Sequence, residues 1–285
     1  MTPSTDPTAH LSGYLLIDPL NLPGSLDCDP LPIRVCVPSD LTNIASLLPS
    51  LVSVDALNAG QLTIIREIMQ LQTAGRHPWA ICAVLTSDVG MEELIKHICS
   101  FLSVTDGKDR AALWRFFDPR VFSLVMAIYS DKQRTKLLGP IREWRFPWRS
   151  HWWTVIGERY IPDPLDNFDT VLPNKAQWML LNLSKLLDQV LLQVERDKLL
   201  STSGCLDLQK KALALLEQGS SEMHFSESSE LIDYAYCGVY YGSAFLSHSK
   251  LQHAKADLAS GALNWWAFKD SFDFSILLPK HNDIQ

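Results

Sequence analysis

The sequence predicts a two-lobed fold: an α/β lobe, a small sheet with flanking helices, over residues 1–165, and an all-helical lobe over residues 166–285. In the first part, short apolar runs typical of buried strands alternate with helical patterns, and this alternation indicates a sheet covered by helices. Beyond Asp163-Pro164 only helical spacings remain. Three prolines between residues 161 and 173 mark the linker.

Four apolar stretches of the first lobe are predicted strands. Each combines large apolar residues with a short length, which favours a buried strand over a helix. They are residues 14–18 (YLLID), 47–54 (LLPSLVSV), 79–87 (WAICAVLTS) and 111–117 (AALWRFF). Residues 19–40 are rich in Pro, Asp and Gly and are predicted to be irregular.

Three helices accompany these strands. Apolar residues repeat at spacings of three and four in residues 57–74 and 91–102, so each of these helices is expected to bury one face. The third helix, residues 121–129, directly follows the tripeptide Asp118-Pro119-Arg120.

The second lobe carries four helical patterns, in residues 175–200, 206–217, 229–246 and 250–259. None of this part alternates convincingly as strands do. The aromatic segment at residues 264–274 (NWWAFKDSFDF) either packs on these helices or offers a surface to a cargo protein.

Charge is distributed unevenly along the chain. The formal net charge is -7 at pH 7, yet residues 108–149 hold ten basic and four acidic side chains. A nucleic-acid-binding domain is usually basic throughout. The local basic excess therefore favours a surface for one protein partner over general binding of nucleic acid.

The cysteines and the apolar runs indicate the compartment. Six cysteines are scattered without a CxxC pair, so we expect reduced thiols and no metal site or other cofactor. No apolar run approaches the ~18 residues that a membrane-spanning helix needs. Residues 1–10 lack the basic and apolar regions of a signal peptide. The prediction is a cytoplasmic protein without membrane association.

Asp118-Pro119-Arg120 has the composition of a helix start. An aspartate accepts the free amides of the first helical turn, and proline at the first helical position loses no hydrogen bond. Arg120 places a cation where the helix dipole disfavours it, so it needs a carboxylate partner. We expect a structural clamp in which that partner is Asp118 itself or Asp18, at the end of the first predicted strand.

Residues 139–153 (GPIREWRFPWRSHWW) interleave arginine with tryptophan. Both residue types are enriched at protein–protein hot spots. The candidate partner-binding residues are Arg142, Trp144, Arg145, Trp148 and Arg149. Two alternatives remain open: a strand with tryptophans in the core and arginines in solvent, or a single-stranded nucleic-acid surface formed by residues 142–153.

Catalytic motifs are missing from the sequence. It contains no GxGxxG, no P-loop and no HExxH, and Ser87 lacks the flanking glycines of a nucleophile turn. We therefore expect no enzyme. The alternative is a noncontiguous pocket around Asp118, Arg120 and His97, because such a pocket leaves no local signature.

The order of the motifs carries a family resemblance. YLLID, LLPSLVSV, WAICAVLTS, a helix with LIKHICSFL, RFFDPRV and then GPIREW about twenty residues later follow one another over residues 14–150. This ordered set resembles the adaptor, or effector-chaperone, family of bacterial type VI secretion systems, whose shared domain has long been described as one of unknown function. The helical second lobe is similar in layout.

The resemblance implies a function without chemistry. Such adaptors bind a toxic effector in the cytoplasm and help to load it onto the VgrG spike of the secretion machine. The partners implied are therefore a secreted effector and a VgrG protein. Two segments, residues 19–40 and 142–153, depart from the family pattern, so the resemblance does not identify the particular effector.

Overall fold

The computed structural model divides into two compact units, Met1–Gln177 and Trp178–Gln285. The division falls within a helix, Lys175–Asn182. The predicted boundary at residue 165 lies outside the described residues. Those described are 1–4, 6–23, 30–75, 78–105, 111–158, 171–197 and 205–277.

An antiparallel sheet of seven strands forms the centre of the first unit. Its strands, with the two of a second small sheet, are β1 (Thr2–Ser4), β2 (Tyr14–Ile17), β3 (Arg34–Val35), β4 (Ser50–Ser53), β5 (Ile81–Ser87), β6 (Ser103–Thr105), β7 (Ala111–Leu113), β8 (Ile141–Trp148) and β9 (His151–Ile156). The order in the main sheet is β1-β9-β8-β5-β2-β4-β3, and β6 pairs only with β7. The predicted α/β fold class is confirmed.

Four α-helices accompany the sheet: α1 (Ala59–Thr73), α2 (Met91–Leu102), α3 (Pro119–Ile128) and α4 (Asp131–Leu138). The predicted helices at residues 57–74, 91–102 and 121–129 correspond to α1, α2 and α3. Asn58 begins α1 with a reciprocal cap. Its side chain accepts from the Gln61 backbone amide, and the Gln61 side chain accepts from the Asn58 backbone amide.

The strand prediction for residues 111–117 is only partly correct. Its first three residues form β7, which lies outside the main sheet. Trp114, Phe116 and Phe117 follow in a turn and are buried. These aromatic side chains are buried because the turn directs them into the core, and not because they belong to a central strand.

Side chains alternate between the two faces of the main sheet, as successive strand residues point to opposite sides. One face packs against α1 through a continuous cluster that includes Leu15, Val52, Val84 and Met69. The register pairs Leu85 with Trp144, which places Trp144 on the other face. α3 packs against β8 on that face.

The second unit is helical. After α5 (Lys175–Asn182), its helices are α6 (Ser184–Arg196), α7 (Cys205–Ser221), α8 (Ser228–Tyr240), α9 (Gly242–Leu246), α10 (Ser249–Ser260) and α11 (Trp265–Ser271). The prediction of one helix over residues 175–200 needs correction, because the helix is interrupted at Leu183, between α5 and α6. Tyr234, Phe245 and Trp265 make ring contacts in the core of this unit.

Gln72 joins α1 to the start of β5. Its buried side chain donates to the Ile81 carbonyl oxygen at 2.8 Å and accepts from the Ala80 and Ile81 amides at 3.1 and 3.0 Å. Three backbone groups at the entrance to a central strand are thereby satisfied by one amide side chain.

We predict that Gln72→Leu lowers the free energy of unfolding by at least about 2 kcal/mol, because buried amides lose their only side-chain acceptor. Urea denaturation measures the effect. Gln70→Leu is the matched control, because Gln70 is exposed on the same helix and such surface changes stay within about 0.5 kcal/mol. Equal losses in the two variants would contradict this role for Gln72.

Candidate functional site

Asp118-Pro119-Arg120 starts α3 and closes on itself. The Asp118 side chain caps the helix by accepting from the Arg120 amide at 3.0 Å, and Pro119 occupies the first turn. The Arg120 guanidinium also donates to Asp118, from Nε to Oδ1 at 3.0 Å and from a terminal nitrogen to Oδ2 at 2.7 Å. Asp118 is thus the carboxylate partner that Arg120 requires.

The clamp onto Asp18 is made by Arg115 and not by Arg120. A terminal nitrogen of Arg115 donates to Asp18 Oδ2 at 2.6 Å. Asp18 is buried and also accepts from Asn21 Nδ2 at 2.8 Å and from the Leu20 amide at 3.1 Å. This ion pair ties the end of β2 to the turn before α3, across ninety-seven residues of chain.

Among the described residues of the first unit, the same Asp-Pro device occurs three times. Asp6-Pro7 and Asp18-Pro19 begin short 3-10 helices, and Asp118-Pro119 begins α3. In each case the aspartate accepts from the amide two residues later. In these three places the dipeptide therefore acts as a helix start and gives no indication of a catalytic carboxylate.

The tryptophans of the Arg/Trp stretch belong to the core. Trp144 is 0% and Trp148 3% exposed. Trp144 stacks on Phe122 of α3 with ring centroids 4.2 Å apart and planes 10° apart. The sequence-based assignment of Trp144 and Trp148 to a partner surface must therefore be corrected, because both side chains are buried: Trp144 packs against α3 and Trp148 against Trp153 of β9.

The arginines of the stretch are engaged within the unit. Arg142 forms an ion pair with Asp88, and Arg145 Nε lies 3.4 Å from Glu143 Oε2. Arg149 is buried in the two-residue turn between β8 and β9, with a φ of 52°. Only Arg142 of the three has substantial exposure. An interleaved basic and aromatic surface does not form here.

His97 on α2 is fixed by the end of α4. Its Nε2 lies 2.9 Å from the Leu137 carbonyl oxygen, and its ring meets Phe101 edge-on at 5.1 Å. The ring also fills the space where a side chain on Gly139 would lie, and Gly139 has a φ of 52°. Burial lowers the pKa of His97, which favours the neutral ring. His97 is therefore a packing residue beside the glycine of GPIREW.

Exposed apolar side chains gather at the β3 edge of the sheet. Leu20, Ile33, Val35, Val37 and Leu47 are each at least 37% exposed, and we call them the β3 apolar strip. Three of them alternate along one extended segment, whereas the intervening Cys36 is buried. Leu20 and Leu47 belong to two 3-10 helices that pack together. Sequence reasoning missed the strip because it treated the whole proline-rich region as irregular.

A second candidate surface, with both polar and apolar side chains, lies in the helical unit. α6, α8 and α11 line an open groove of about 480 Å³, which we call the α6–α8–α11 groove. Leu192 and Trp266 in this groove are 40% and 39% exposed. Arg196 and the two glutamines Gln189 and Gln193 lie at the same groove. Trp265, the neighbour of Trp266, is fully buried, so the Trp-Trp pair divides between packing and surface.

Two further features of the described residues bear on metals and membranes. Within the described ranges, no group of three or more His, Cys, Asp or Glu side chains is placed to hold a metal ion. In the same part of the chain, no helix combines the length and the apolar character that crossing a bilayer requires.

Residues 14–136 match the family model described as "Domain of unknown function (DUF4123)". The match begins with β2 and ends within α4, and it includes Asp18, Arg115 and the Asp118-Pro119-Arg120 helix start. No curated protein and no solved structure matches the chain.

The two candidate surfaces differ in their relation to the DUF4123 match. The whole β3 apolar strip lies within it, and the α6–α8–α11 groove lies beyond its last residue. Arg142, Arg145 and Arg149 also lie beyond it. The matched segment therefore contains one of the two surfaces and the structural clamp.

We predict different costs for removing Arg115 and Arg120. Arg115→Met leaves the buried Asp18 carboxylate without its cation and lowers stability by about 2 kcal/mol or more. Arg120→Met costs less than about 1 kcal/mol, because this side chain is 50% exposed against 32% for Arg115. Thermal and urea denaturation of both variants measure the difference. A larger loss for Arg120→Met would overturn the assignment of the clamp.

His97 gives the protein an acid sensitivity that His97→Gln removes. Because the folded-state pKa of His97 lies below its ordinary value of 6.5, the unfolded chain binds the proton more readily, and stability falls as the pH drops below about 6.5. Glutamine keeps an N–H donor for the Leu137 carbonyl oxygen and does not titrate. The fall in thermal midpoint from pH 7 to pH 5 should be smaller in the variant. Parallel pH profiles would contradict the assignment.

Proposed function

We propose that this protein is a non-catalytic adaptor that binds a secreted effector of a type VI secretion system and a VgrG spike protein, and joins them in the bacterial cytoplasm. The observation that carries the proposal is the presence, on each unit, of a surface with large exposed apolar side chains: the β3 apolar strip and the mixed polar and apolar α6–α8–α11 groove. Apolar patches rimmed by polar groups are typical of protein-binding surfaces.

The ordered motifs support the same proposal. RFFDPRV supplies both the cap of α3 and, at Arg115, the clamp on Asp18. The glycine of GPIREW provides room for the His97 ring. The motifs that resemble the adaptor family therefore build the scaffold beside the strip. They indicate a shared fold, and the surfaces carry the choice of partner.

The enzyme alternative finds little support in these contacts. Both oxygens of the Asp118 carboxylate accept from the Arg120 side chain, and the capping bond occupies Oδ1 as well. His97 is buried against the end of α4 and contacts the Leu137 carbonyl oxygen. A general base must reach a substrate proton. Each residue of the proposed pocket therefore has a structural role: Asp118 caps α3, Arg120 pairs with Asp118, and His97 packs against the end of α4.

The nucleic-acid alternative requires exposed aromatic rings, and the tryptophans of residues 142–153 are buried. Base stacking requires exposed rings next to basic groups. Trp144, Trp148, Trp152 and Trp153 are all buried, and Arg142 is paired with Asp88. The arrangement favours a protein partner.

The character of the strip and the groove suits reversible binding. The strip is made of aliphatic side chains, and the groove combines Leu192 and Trp266 with the cation of Arg196. Tryptophan and arginine are enriched among the residues that dominate binding energy, and neighbouring contacts exclude water.

Co-expression with a candidate type VI effector and a VgrG protein tests the adaptor function. The tagged wild-type protein should retain both partners. Ile33→Glu with Leu47→Glu in the strip should weaken binding of one partner at least about tenfold, and Leu192→Glu with Trp266→Ala in the groove should do the same for the other, because charges and truncations at hot spots cost more than about 1.4 kcal/mol.

The controls are Ser39→Ala beside the strip and Lys185→Ala, an exposed position of α6 that does not line the groove, and both should leave the two partners bound. Thermal midpoints of all variants establish that they fold. A folded wild-type protein that retains neither partner would sink the adaptor proposal. Loss of both partners in one variant, with its thermal midpoint unchanged, would contradict the assignment of one partner to each surface.

A further inference from the structure

β3 is the last strand of the main sheet and, among the described strands, it pairs with β4 only. The register places Arg34 opposite Leu51, and the Cys36 amide donates to the Pro49 carbonyl oxygen at 2.9 Å. The pairing with β4 therefore continues to residue 36, one residue beyond the end of β3. The other side of β3 is an edge of the sheet.

Strand alternation decides which backbone groups of this edge point away from β4. In an antiparallel ladder, the N–H and C=O of one residue point to the same neighbouring strand, and those of the next residue point the opposite way. Because Cys36 points to β4, the N–H and C=O groups of Val35 and Val37 point outward. Within the described ranges, neither valine makes a hydrogen bond outside the β3–β4 ladder. Two donors and two acceptors therefore face outward along this edge.

The side chains of the same segment alternate between two faces. Val35 and Val37 are each 37% exposed, whereas Cys36 and Pro38 are buried. Ile33 is 42% exposed and lies on the same face as the two valines, because alternate strand residues share a face. A row of aliphatic side chains therefore lies beside the outward backbone groups.

Prolines flank this edge without closing it. Many natural sheets protect an edge strand with a proline or a lysine, which hinders the addition of a further strand. Pro32 and Pro38 lie at even-numbered positions, as Cys36 does, so the N–H groups that they lack belong to the side of β4. Arg34 pairs with Glu92 of α2, and alternation places its side chain on the face opposite to the aliphatic row.

We propose that the outer edge of β3 adds one strand from the protein partner of the β3 apolar strip, through backbone hydrogen bonds to Val35 and Val37. The inference rests on the proposed function, and it specifies the conformation of the segment that the strip binds. Main-chain bonds give affinity in such strand addition, and contacts with alternate side chains give specificity. Because the aliphatic row lies on one face, the added segment carries apolar residues at every second position.

An extended segment matches this edge better than a helix does. The outward groups of residues 35 and 37 recur at the two-residue repeat of a strand, about 6–7 Å. A helix satisfies most of its backbone groups internally and would leave the outward groups of β3 unpaired. The chemistry of the partner is therefore that of an extended polypeptide.

Val35→Pro tests the outward amide. The substitution removes the N–H that faces the added strand and leaves the bonds to β4 intact, because an edge strand tolerates proline where its N–H side faces solvent. Val35→Thr is the comparison variant, since threonine keeps the amide and the branched shape. The probe is a fluorescently labelled synthetic peptide, Lys-Val-Thr-Val-Thr-Val-Lys with blocked ends, and fluorescence anisotropy measures its affinity for the purified protein.

The wild-type protein should bind the peptide, and Val35→Pro should weaken this binding at least about tenfold, because the lost donor and the proline ring both oppose pairing. Val35→Thr should weaken it by at most about fourfold, because only one methyl group is lost. Ser39→Ala, outside the paired positions, should keep the wild-type affinity. Hydrogen–deuterium exchange of the wild type should slow at Val35 and Val37 when the peptide is bound, and this measurement does not depend on the folding of any variant.

The same two variants are compared in the co-expression with the effector and VgrG. Val35→Thr should retain the partner that the strip binds, and Val35→Pro should lose it. A wild-type protein that binds the peptide but neither partner would contradict the adaptor function alone.

Three results would each overturn strand addition, whether or not a partner is retained. They are no binding of the peptide by the wild type at millimolar concentration, equal affinities of Val35→Pro and Val35→Thr, and unchanged exchange at the two valines. A dimer of the wild-type protein that Val35→Pro dissociates would overturn the choice of occupant, because a second copy would then fill the edge.

Discussion

Trp144 stacks on Phe122, and this contact joins β8 to α3 in the core of the first unit. Phe122 also meets Phe146 edge-on at 5.0 Å, so one helix residue engages two residues of the same strand face. With α3 held on the sheet, Asp118 caps its start, and Arg115 in the preceding turn reaches Asp18 at the end of β2. Strand alternation turns Arg145, the neighbour of Trp144 on β8, to the opposite face of the sheet.

The helices α1, α2 and α3 were predictable from apolar spacing. Apolar spacing placed α2 at its observed bounds, because the helix buries one face and leaves the other in water. β9 was missed for the opposite reason. Trp152 packs into the cluster under α1, whereas Trp153 packs against Trp148 on the other face. A strand buried on both faces shows no alternation of apolar and polar residues, and its sequence cannot reveal the period of two.

The candidate site was harder to predict than the fold. Asp118-Pro119 could be interpreted as a helix start from local chemistry alone, because a cap involves only neighbouring residues. The partner of Arg115 is ninety-seven residues away and leaves no local signal. The Arg/Trp stretch misled for a related reason. Tryptophan is enriched both at interfaces and among buried residues, so composition does not distinguish the two. The strip was overlooked because its three alternating residues lie in and next to β3, a two-residue edge strand within a proline-rich region.

The residues that resemble a known family and the residues that face solvent are different sets in this molecule. Asp118, Arg115 and Gly139 act within the fold as a cap, a clamp and a space for His97. Residues with such structural roles indicate which fold the chain adopts. Leu20, Val35 and Leu192 have large exposed fractions and no comparable task in the fold. Binding energy comes from groups that lose water on association, so the identity of a partner depends on this second set. Motifs of the first kind can therefore point to an adaptor without naming its cargo.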